Sequence, residues 1–190
     1  MTTVPKHLEM GELQAGMASI LASPKDRGTL EMIVRRPQRE QREILESGEL
    51  DPAVGLRGDN WKERGSSKTP DGSADPDVQI TLMNARVIAL LAQEKTHWPL
   101  AGDQLFVDFD LSEANVPAGT RLEIGSAVIE VSPHPHTGCK KFTARFGVEA
   151  MKFVNSDTGR QLHLRGVNAK IVRGGSVRVG DSVLKSVVRS

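Results

Sequence analysis

The chain has 190 residues, with 25 Lys and Arg against 24 Asp and Glu, a net charge of +1. The length fits one compact domain, and the charge balance argues against a general electrostatic nucleic-acid binder. The single cysteine, Cys139, excludes an internal disulfide framework and an all-cysteine zinc site, and it suits a reducing compartment. Neither a secretory signal nor a bilayer-length apolar stretch is visible. We therefore expect a soluble cytoplasmic protein with no membrane or nucleic-acid partner.

The first part of the chain predicts few regular elements. Apolar residues at helical spacing favour a short amphipathic helix within residues 7–21, and alternating apolar residues predict a strand over residues 28–35. The charged run 38–47 is interpreted as a helical turn or a loop with a solvated face. Residues 51–77 are rich in Gly, Pro, Asp and Ser, which indicates one long irregular loop.

Short strand patterns dominate from residue 78 onward. A strand through Ile80 leads to Asn84, which stands at the N-cap position of a predicted helix, ARVIALLAQEK. The dipeptide Gly125-Ser126 fits the two-residue turn of a hairpin. His163 lies in a strand-like stretch, QLHLRG. The remaining apolar alternations, each interpreted as a strand, cover residues 105–109, 122–124, 127–131, 167–171, 177–179 and 183–188.

Seven or eight short strands with two or three helices indicate a mainly β protein, in the sense of a β-rich α+β fold. Their spacing favours a barrel or a sandwich over a doubly wound α/β sheet. We predict an N-terminal helical segment over residues 1–27 and a single β-barrel domain over residues 28–190.

The segment with the greatest density of reactive side chains surrounds Cys139. Two prolines constrain the chain before it, at 133 and 135, and Gly138 permits close approach to the backbone. The cations Lys140, Lys141 and Arg145 follow within six residues, and nearby positive charge stabilises a thiolate. The pattern favours an accessible, reactive thiol. The alternative is a buried structural cysteine, which is what most free cysteines are.

Two histidines in the same segment offer a second interpretation. His134 and His136 form an H-x-H-x-x-C cluster with Cys139, and these ligand types suit zinc or copper. The spacing matches no strong zinc signature, and no fourth ligand is evident. A zinc site is therefore the minority hypothesis for this segment.

The order of motifs resembles the MOSC domain family, named for the C-terminal domain of molybdenum-cofactor sulfurases. The resemblance covers about residues 28–188, and each piece alone is weak. Its specificity comes from the cysteine after the strand and the late glycine-rich hairpin ending in VGD. The matching pieces are GLRGD (55–59), VQITLMN (78–84), AGDQLFVDFDLSEANVPAGTRLEIGSAVIEVS (101–132), PHPHTGCKKFTARFG (133–147) and RGVNAKIVRGGSVRVGD (165–181).

The resemblance implies a MOSC-type β-barrel with a few short helices, in which Cys139 lines a cleft. In the family this cysteine is viewed as a sulfur-carrying or molybdenum-ligating thiol. The implied cofactor is the molybdenum cofactor, a pyranopterin that carries a phosphate, and cations near the thiol would contact that phosphate. The residues implied for this contact are Lys140, Lys141, Arg145, Arg57 and Arg173.

Many family members carry a His-Gly-Gly-x-Asp-type stretch before the strand that corresponds to VQITLMN, but residues 70–77 here lack the histidine. The resemblance also implies a small-molecule substrate, with reduction of N-hydroxylated compounds as one outcome. We expect a cysteine desulfurase or a separate electron donor as partner, and no pyridoxal phosphate, because the chain has no room for a desulfurase domain. The alternative function is a non-catalytic binding module for a small anion or a protein partner.

Overall fold

A computed structural model describes residues 4–186 and contains eleven strands and seven α-helices in that range. The strands are β1 Arg27–Arg35, β2 Glu43–Leu45, β3 Ser47–Asp51, β4 Gly55–Leu56, β5 Ile80–Asn84, β6 Leu105–Asp108, β7 Arg121–Ile124, β8 Ala127–Val131, β9 Val167–Arg173, β10 Gly175–Arg178 and β11 Ser182–Lys185. The helices are α1 Met10–Ala15, α2 Met17–Leu21, α3 Trp61–Arg64, α4 Ala85–Ala92, α5 Lys140–Phe146, α6 Val148–Asn155 and α7 Asp157–Gln161, with 3-10 turns at Pro76–Val78 and Lys95–Ala101.

Seven strands close into a mixed barrel, which confirms the predicted fold class. Their order is β11, β7, β8, β9, β5, β6 and β1, and β1 pairs back to β11. Only β5 and β6 are parallel neighbours, because α4 and the second 3-10 turn return the chain to the same end of the sheet. A small second sheet, β10–β3–β4, lies beside the barrel. None of the helices within residues 4–186 has the length and apolar character needed to cross a membrane.

Two hydrophobic clusters explain why several strands are apolar on both faces. One cluster fills the barrel and includes Leu30 and Ile33 of β1, whereas Met32 and Val34 belong to a second cluster shared with the helices. A register shift between residues 30 and 32 allows the change of face. The predicted simple alternation on β1 is therefore wrong. The N-terminal segment contributes Leu13 to the helix-side cluster.

The predicted helix after β5 and the predicted hairpin are confirmed. The Asn84 side chain accepts a hydrogen bond from the Arg86 amide at 2.8 Å, so it caps α4 as expected, although the helix ends at Ala92. The turn between β7 and β8 holds Gly125 at φ +56°. The predicted last strand begins as β11, but its final positions 187 and 188 lie outside the described residues, as do residues 1–3 of the N-terminal segment.

Three expectations from the sequence are corrected. The charged run 38–47 contains β2 and the start of β3 rather than a helical turn. Residues 51–77 include β4 and α3 within the long loop. Helices α5 to α7 occupy residues 140–161, where no helix was predicted, and His163 lies just after α7 at φ +48° rather than in a strand.

Candidate functional site

A cleft of about 780 Å³ lies between the loops that follow β1, β4 and β8. This volume falls in the range of small-molecule sites, about 300–1,000 Å³. Its walls come from distant parts of the chain, namely residues 36–42, 60–68, 75–81, 101–102, 134–145 and 165–168.

A buried ion pair joins two of these wall segments. Asp59, the last residue of the GLRGD motif, accepts hydrogen bonds from Nε and Nη2 of Arg36, both at 2.9 Å, and from the Arg36 amide at 2.8 Å. Arg36 also donates Nη1 to the Gly102 carbonyl at 3.0 Å. The aspartate of the motif thus orients an arginine at the cleft wall and holds the chain after β1 against the chain after β4.

A second buried network lies deeper, around Asp103. Its carboxylate is fully buried and accepts from Nη1 of Arg165 at 2.6 Å, while His136 Nε2 lies 3.1 Å from its other oxygen. Burial by itself would raise the pKa of Asp103, but the Arg165 charge and the contact with His136 outweigh it and lower the pKa to about 2. Arg165 and His136 both line the cleft, so this network fixes two of its side chains.

The cleft is strongly cationic although the whole chain is nearly neutral. Eight Arg and Lys side chains line it, against the carboxylates of Glu40 and Asp75. Four of the cations have acidic partners: Arg36, Lys141, Arg145 and Arg165. The other four make no ion pair within residues 4–186: Arg39, Arg42, Arg64 and Lys68. Such a surface attracts anions.

Two buried guanidinium nitrogens at this cleft have no hydrogen-bond partner, Nε of Arg42 and Nε of Arg165. Burial lowers the pKa of Arg42, and repulsion from Arg145 and Arg36 lowers it further, while Glu40 and Asp59 act in the opposite direction. An anion bound at Arg42 would relieve this repulsion.

Cys139 is exposed on the wall of the cleft, immediately before α5. The loop that carries it is held on both sides of Gly138 by Asn155, whose Oδ1 accepts from the Gly138 amide at 2.9 Å. A Cβ at Gly138 would stand 2.8 Å from the sulfur of Met151, so the loop packs closely on α6. The predicted alternative, a buried structural cysteine, is excluded by this exposure.

The structure brings some of the residues singled out in the sequence to the cleft and leaves others elsewhere. Cys139, Lys141 and Arg145 line it together with both loop histidines. Lys140 is exposed and does not line it. Arg57 pairs with Asp51 at 2.6 Å, and Arg173 donates to the Ser126 carbonyl at 3.3 Å; neither lines the cleft.

Sequence reasoning missed most of the cationic wall. The segment RRPQREQR (35–42) supplies Arg36, Arg39 and Arg42. The charge of residues 38–47 was interpreted as a solvated face, and Arg36 was not singled out. The density of arginines there was the available signal. For Asp103 and Arg165 no local signal exists, since their pairing depends on segments 62 residues apart.

The zinc ligands suggested by the sequence do not converge. Among the described residues, the side chains whose ligand atoms approach one another closely enough for a metal ion are Asp75, Asp77 and His134. This group contains neither His136 nor Cys139. Exposed acidic groups of this kind are common without a metal, and His136 is already committed to Asp103.

A family model described as the MOSC domain matches residues 73–184. The chain belongs to the MOSC domain family. This membership relates it to the molybdenum cofactor at family level. The cleft cations at positions 36–68 precede the matched region, so the family model does not cover them.

Solved structures with the same fold support the architecture. A structure titled as a hypothetical protein is 21% identical, with a TM-score of 0.58, and the match covers 86% of this chain and 70% of that chain. YiiM from Escherichia coli is 20% identical, with a TM-score of 0.55 and coverage of 85% and 71%. The YuaD protein from Bacillus subtilis is 17% identical, with a TM-score of 0.56 and coverage of 85% and 97%. The comparison with curated proteins found no match.

Proposed function

We propose that the cleft binds the molybdenum cofactor and that the Cys139 thiolate ligates its metal. The observation that carries this proposal is the position of the only thiol of the chain, exposed on the wall of a cleft lined by eight cationic side chains. A thiolate is a suitable ligand for a soft metal centre, and the cations suit the phosphate of the pterin.

The residues of the cleft fit this group. Arg39, Arg42, Arg64 and Lys68 have no acidic partner among the described residues and would hold the phosphate; Arg42 also has an unsatisfied buried Nε. When bound, the cofactor would supply two-electron chemistry at the metal. In the reduction of an N-hydroxylated substrate, the N–O bond breaks, and two electrons and two protons yield the amine and water. The electrons would come from a separate donor protein.

A sulfur-carrying role uses the same thiolate without the metal. Cys139 would attack the outer sulfur of a persulfide on a cysteine desulfurase, forming a new S–S bond while the donor thiolate leaves. This version is favoured by the exposure of Cys139, because a partner protein must reach the sulfur. It predicts a mass increase of one sulfur on the intact protein, absent from Cys139→Ser.

Metal and pterin analysis of the full chain tests the cofactor proposal. The protein is produced in a host that makes the cofactor, and molybdenum and pterin are quantified per chain. We expect both in wild type, loss of molybdenum in Cys139→Ser, and loss of pterin when Arg39 and Arg42 are both changed to Ala. Lys140→Ala is the matched control, since Lys140 lies in the same segment outside the cleft. Protein without pterin from such a host would refute the proposal.

A non-catalytic anion-binding module is the second candidate, favoured by the four cations that have no acidic partner among the described residues. Inorganic phosphate and pyrophosphate serve as probes in titration calorimetry. This candidate predicts that Cys139→Ser retains the wild-type affinity for these anions and the biological activity. Loss of activity in Cys139→Ser with unchanged anion affinity would reject it in favour of thiol chemistry.

A further inference from the structure

Glu40 lines the cleft and holds two of its cations, and the proposed function does not use this carboxylate. Glu40 Oε1 accepts from Nζ of Lys141 at 2.9 Å, and Oε2 accepts from Nη2 of Arg145 at 2.7 Å. The two contacts join the loop after β1 to helix α5, across 101 and 105 positions of the chain. Each carboxylate oxygen thus has its own cation, and two oxygens of a phosphate group can be held in the same way.

The backbone of this loop does not favour a glutamate at position 40. The Gln41 amide donates to the Gln38 carbonyl at 3.1 Å, which closes a turn over residues 38–41 with Glu40 in its third position. Glu40 has φ +63°, in the left-handed region, where a turn favours Gly or Asn at this position. Local backbone preference therefore does not account for Glu40, whereas the contacts of its carboxylate on α5 do.

The arginine of this pair is held in place independently of Glu40. Arg145 donates Nη1 to the Leu100 carbonyl at 2.8 Å, and only 20% of its side chain is exposed. Lys141 lies four residues earlier on α5, so both cations occupy the same face of the helix. If the Glu40 carboxylate left, the guanidinium of Arg145 would stay at the cleft and could accept another anion.

The positive charge around Glu40 exceeds what one carboxylate offsets. The hydrogen bond from Lys141, followed by the charge of Arg145 and a smaller effect of Arg42, lowers the pKa of the Glu40 carboxyl, so it is ionised at neutral pH. One negative charge therefore faces three cations. A phosphate group carries a charge of about −1.5 to −2 at pH 7 and matches this surplus better. The Glu40 side chain is 56% exposed, so an anion from solution can reach its partners.

The attachment of Glu40 to the chain limits which anions can compete with it. A tethered group has a high effective concentration at its partners. A free carboxylate brings the same charge and the same two oxygens, so it gains nothing by displacing Glu40. A phosphoryl group brings more charge and a third acceptor oxygen, and its binding also frees the turn from a strained conformation.

We propose that Glu40 occupies an oxyanion subsite formed by Lys141 and Arg145, and that a phosphoryl group of the ligand takes its place on binding. No covalent bond changes, and the Glu40 carboxylate turns to solvent. Glu40 is then a specificity-determining residue, because it excludes anions with a single charge. The inference rests on the proposed function in that the same cleft takes a phosphate-bearing ligand.

Titration calorimetry of the full chain with inorganic pyrophosphate at pH 7.5 tests the proposal. We expect Glu40→Gln to bind pyrophosphate about tenfold more tightly than wild type, because the anion no longer displaces a carboxylate. Asp75→Asn is the matched control, since it removes the same charge from the same cleft. Asp75 makes no ion pair within residues 4–186, so its variant should stay within about twofold of wild type.

A second substitution shows whether the gain depends on α5. Adding Arg145→Gln to Glu40→Gln should return the Kd to the wild-type value or above it. Equal gains in Glu40→Gln and Asp75→Asn would overturn the proposal, because net charge alone would then explain them. Unchanged or weaker binding by Glu40→Gln would also overturn it, since that result is expected if the ion pairs only hold the loop, and so would the absence of pyrophosphate binding in both proteins. The probe contains no pterin or molybdenum, so protein purified without the cofactor would refute the proposed function and leave this comparison unaffected.

Discussion

Replacing Asp103 with Asn should destabilise the protein more than any exposed acidic substitution. The change preserves the shape of the side chain but removes the charge that faces Arg165 at 2.6 Å. Arg165 retains only 7% of its surface and would remain buried without a carboxylate partner. Breaking a buried ion pair by removing one partner costs about 3–5 kcal/mol, because the remaining charge is uncompensated.

The pKa of Asp103 gives an independent magnitude. A fall from 3.8 to about 2 means that the folded state favours the ionised form by about 2 kcal/mol. Because the folded pKa lies below the unfolded one, this stabilisation is present above about pH 4 and is lost as the pH falls towards 2. The rest of the expected cost comes from Arg165, which loses its acidic partner.

Guanidinium unfolding at pH 7.5, followed by the fluorescence of the buried Trp61 and Trp98, measures the difference. We expect Asp103→Asn to lower the free energy of unfolding by about 3–5 kcal/mol. The control Asp77→Asn, whose side chain is 43% exposed, should change it by less than about 0.5 kcal/mol. The difference in the free energy of unfolding between wild type and Asp103→Asn should also become smaller as the pH is lowered from 5 to 2.5. A loss below about 1 kcal/mol at pH 7.5 would refute the buried-pair argument.

Three further substitutions probe other parts of the fold. Gly166 has φ +106°, and a Cβ there would lie 2.1 Å from the Leu82 carbonyl oxygen. Gly166→Ala should therefore lower the free energy of unfolding by at least about 2 kcal/mol, measured by denaturation. Asn84→Ala removes the cap on the Arg86 amide and the Nδ2 hydrogen bonds to the Ser23 hydroxyl and the Phe109 carbonyl, and it should cost at least about 1–2 kcal/mol in the same assay. His136→Gln tests the pH dependence: the pKa of His136 is lowered on folding, so wild-type stability should fall as the pH drops below about 6.5, by at most about 1.4 kcal/mol per unit, and the variant should fall less.

Local sequence patterns predicted an element correctly where the residues of a turn or a cap lie next to each other in the chain. The hairpin of β7 and β8 was predicted from Gly125-Ser126 between two alternating runs, and the start of α4 from Asn84. These signals are local because a turn or a cap involves residues within a few positions of one another. The resemblance of ordered motifs likewise indicated the barrel, and the family match confirms it.

The missed helices had no such signal. Helices α5, α6 and α7 have 7, 8 and 5 residues, too short to be stable by propensity alone. They form because Phe142, Phe146 and Phe153 pack in the cluster between the helices and the barrel. That packing depends on strands far away in the chain.

The sequence by itself determined that the chain has one thiol, that a glycine and two prolines precede it closely, and that short strands build a β-rich fold. Only the tertiary structure decided which charged side chains line the same cleft as that thiol. Lys141 and Arg145 reach the cleft, whereas Arg57 and Arg173 do not, although all four carry the same charge. The sequence shows the charge of each residue but not where its side chain lies in the fold. That position depends on contacts such as the Arg36–Asp59 ion pair, which join segments distant in the chain.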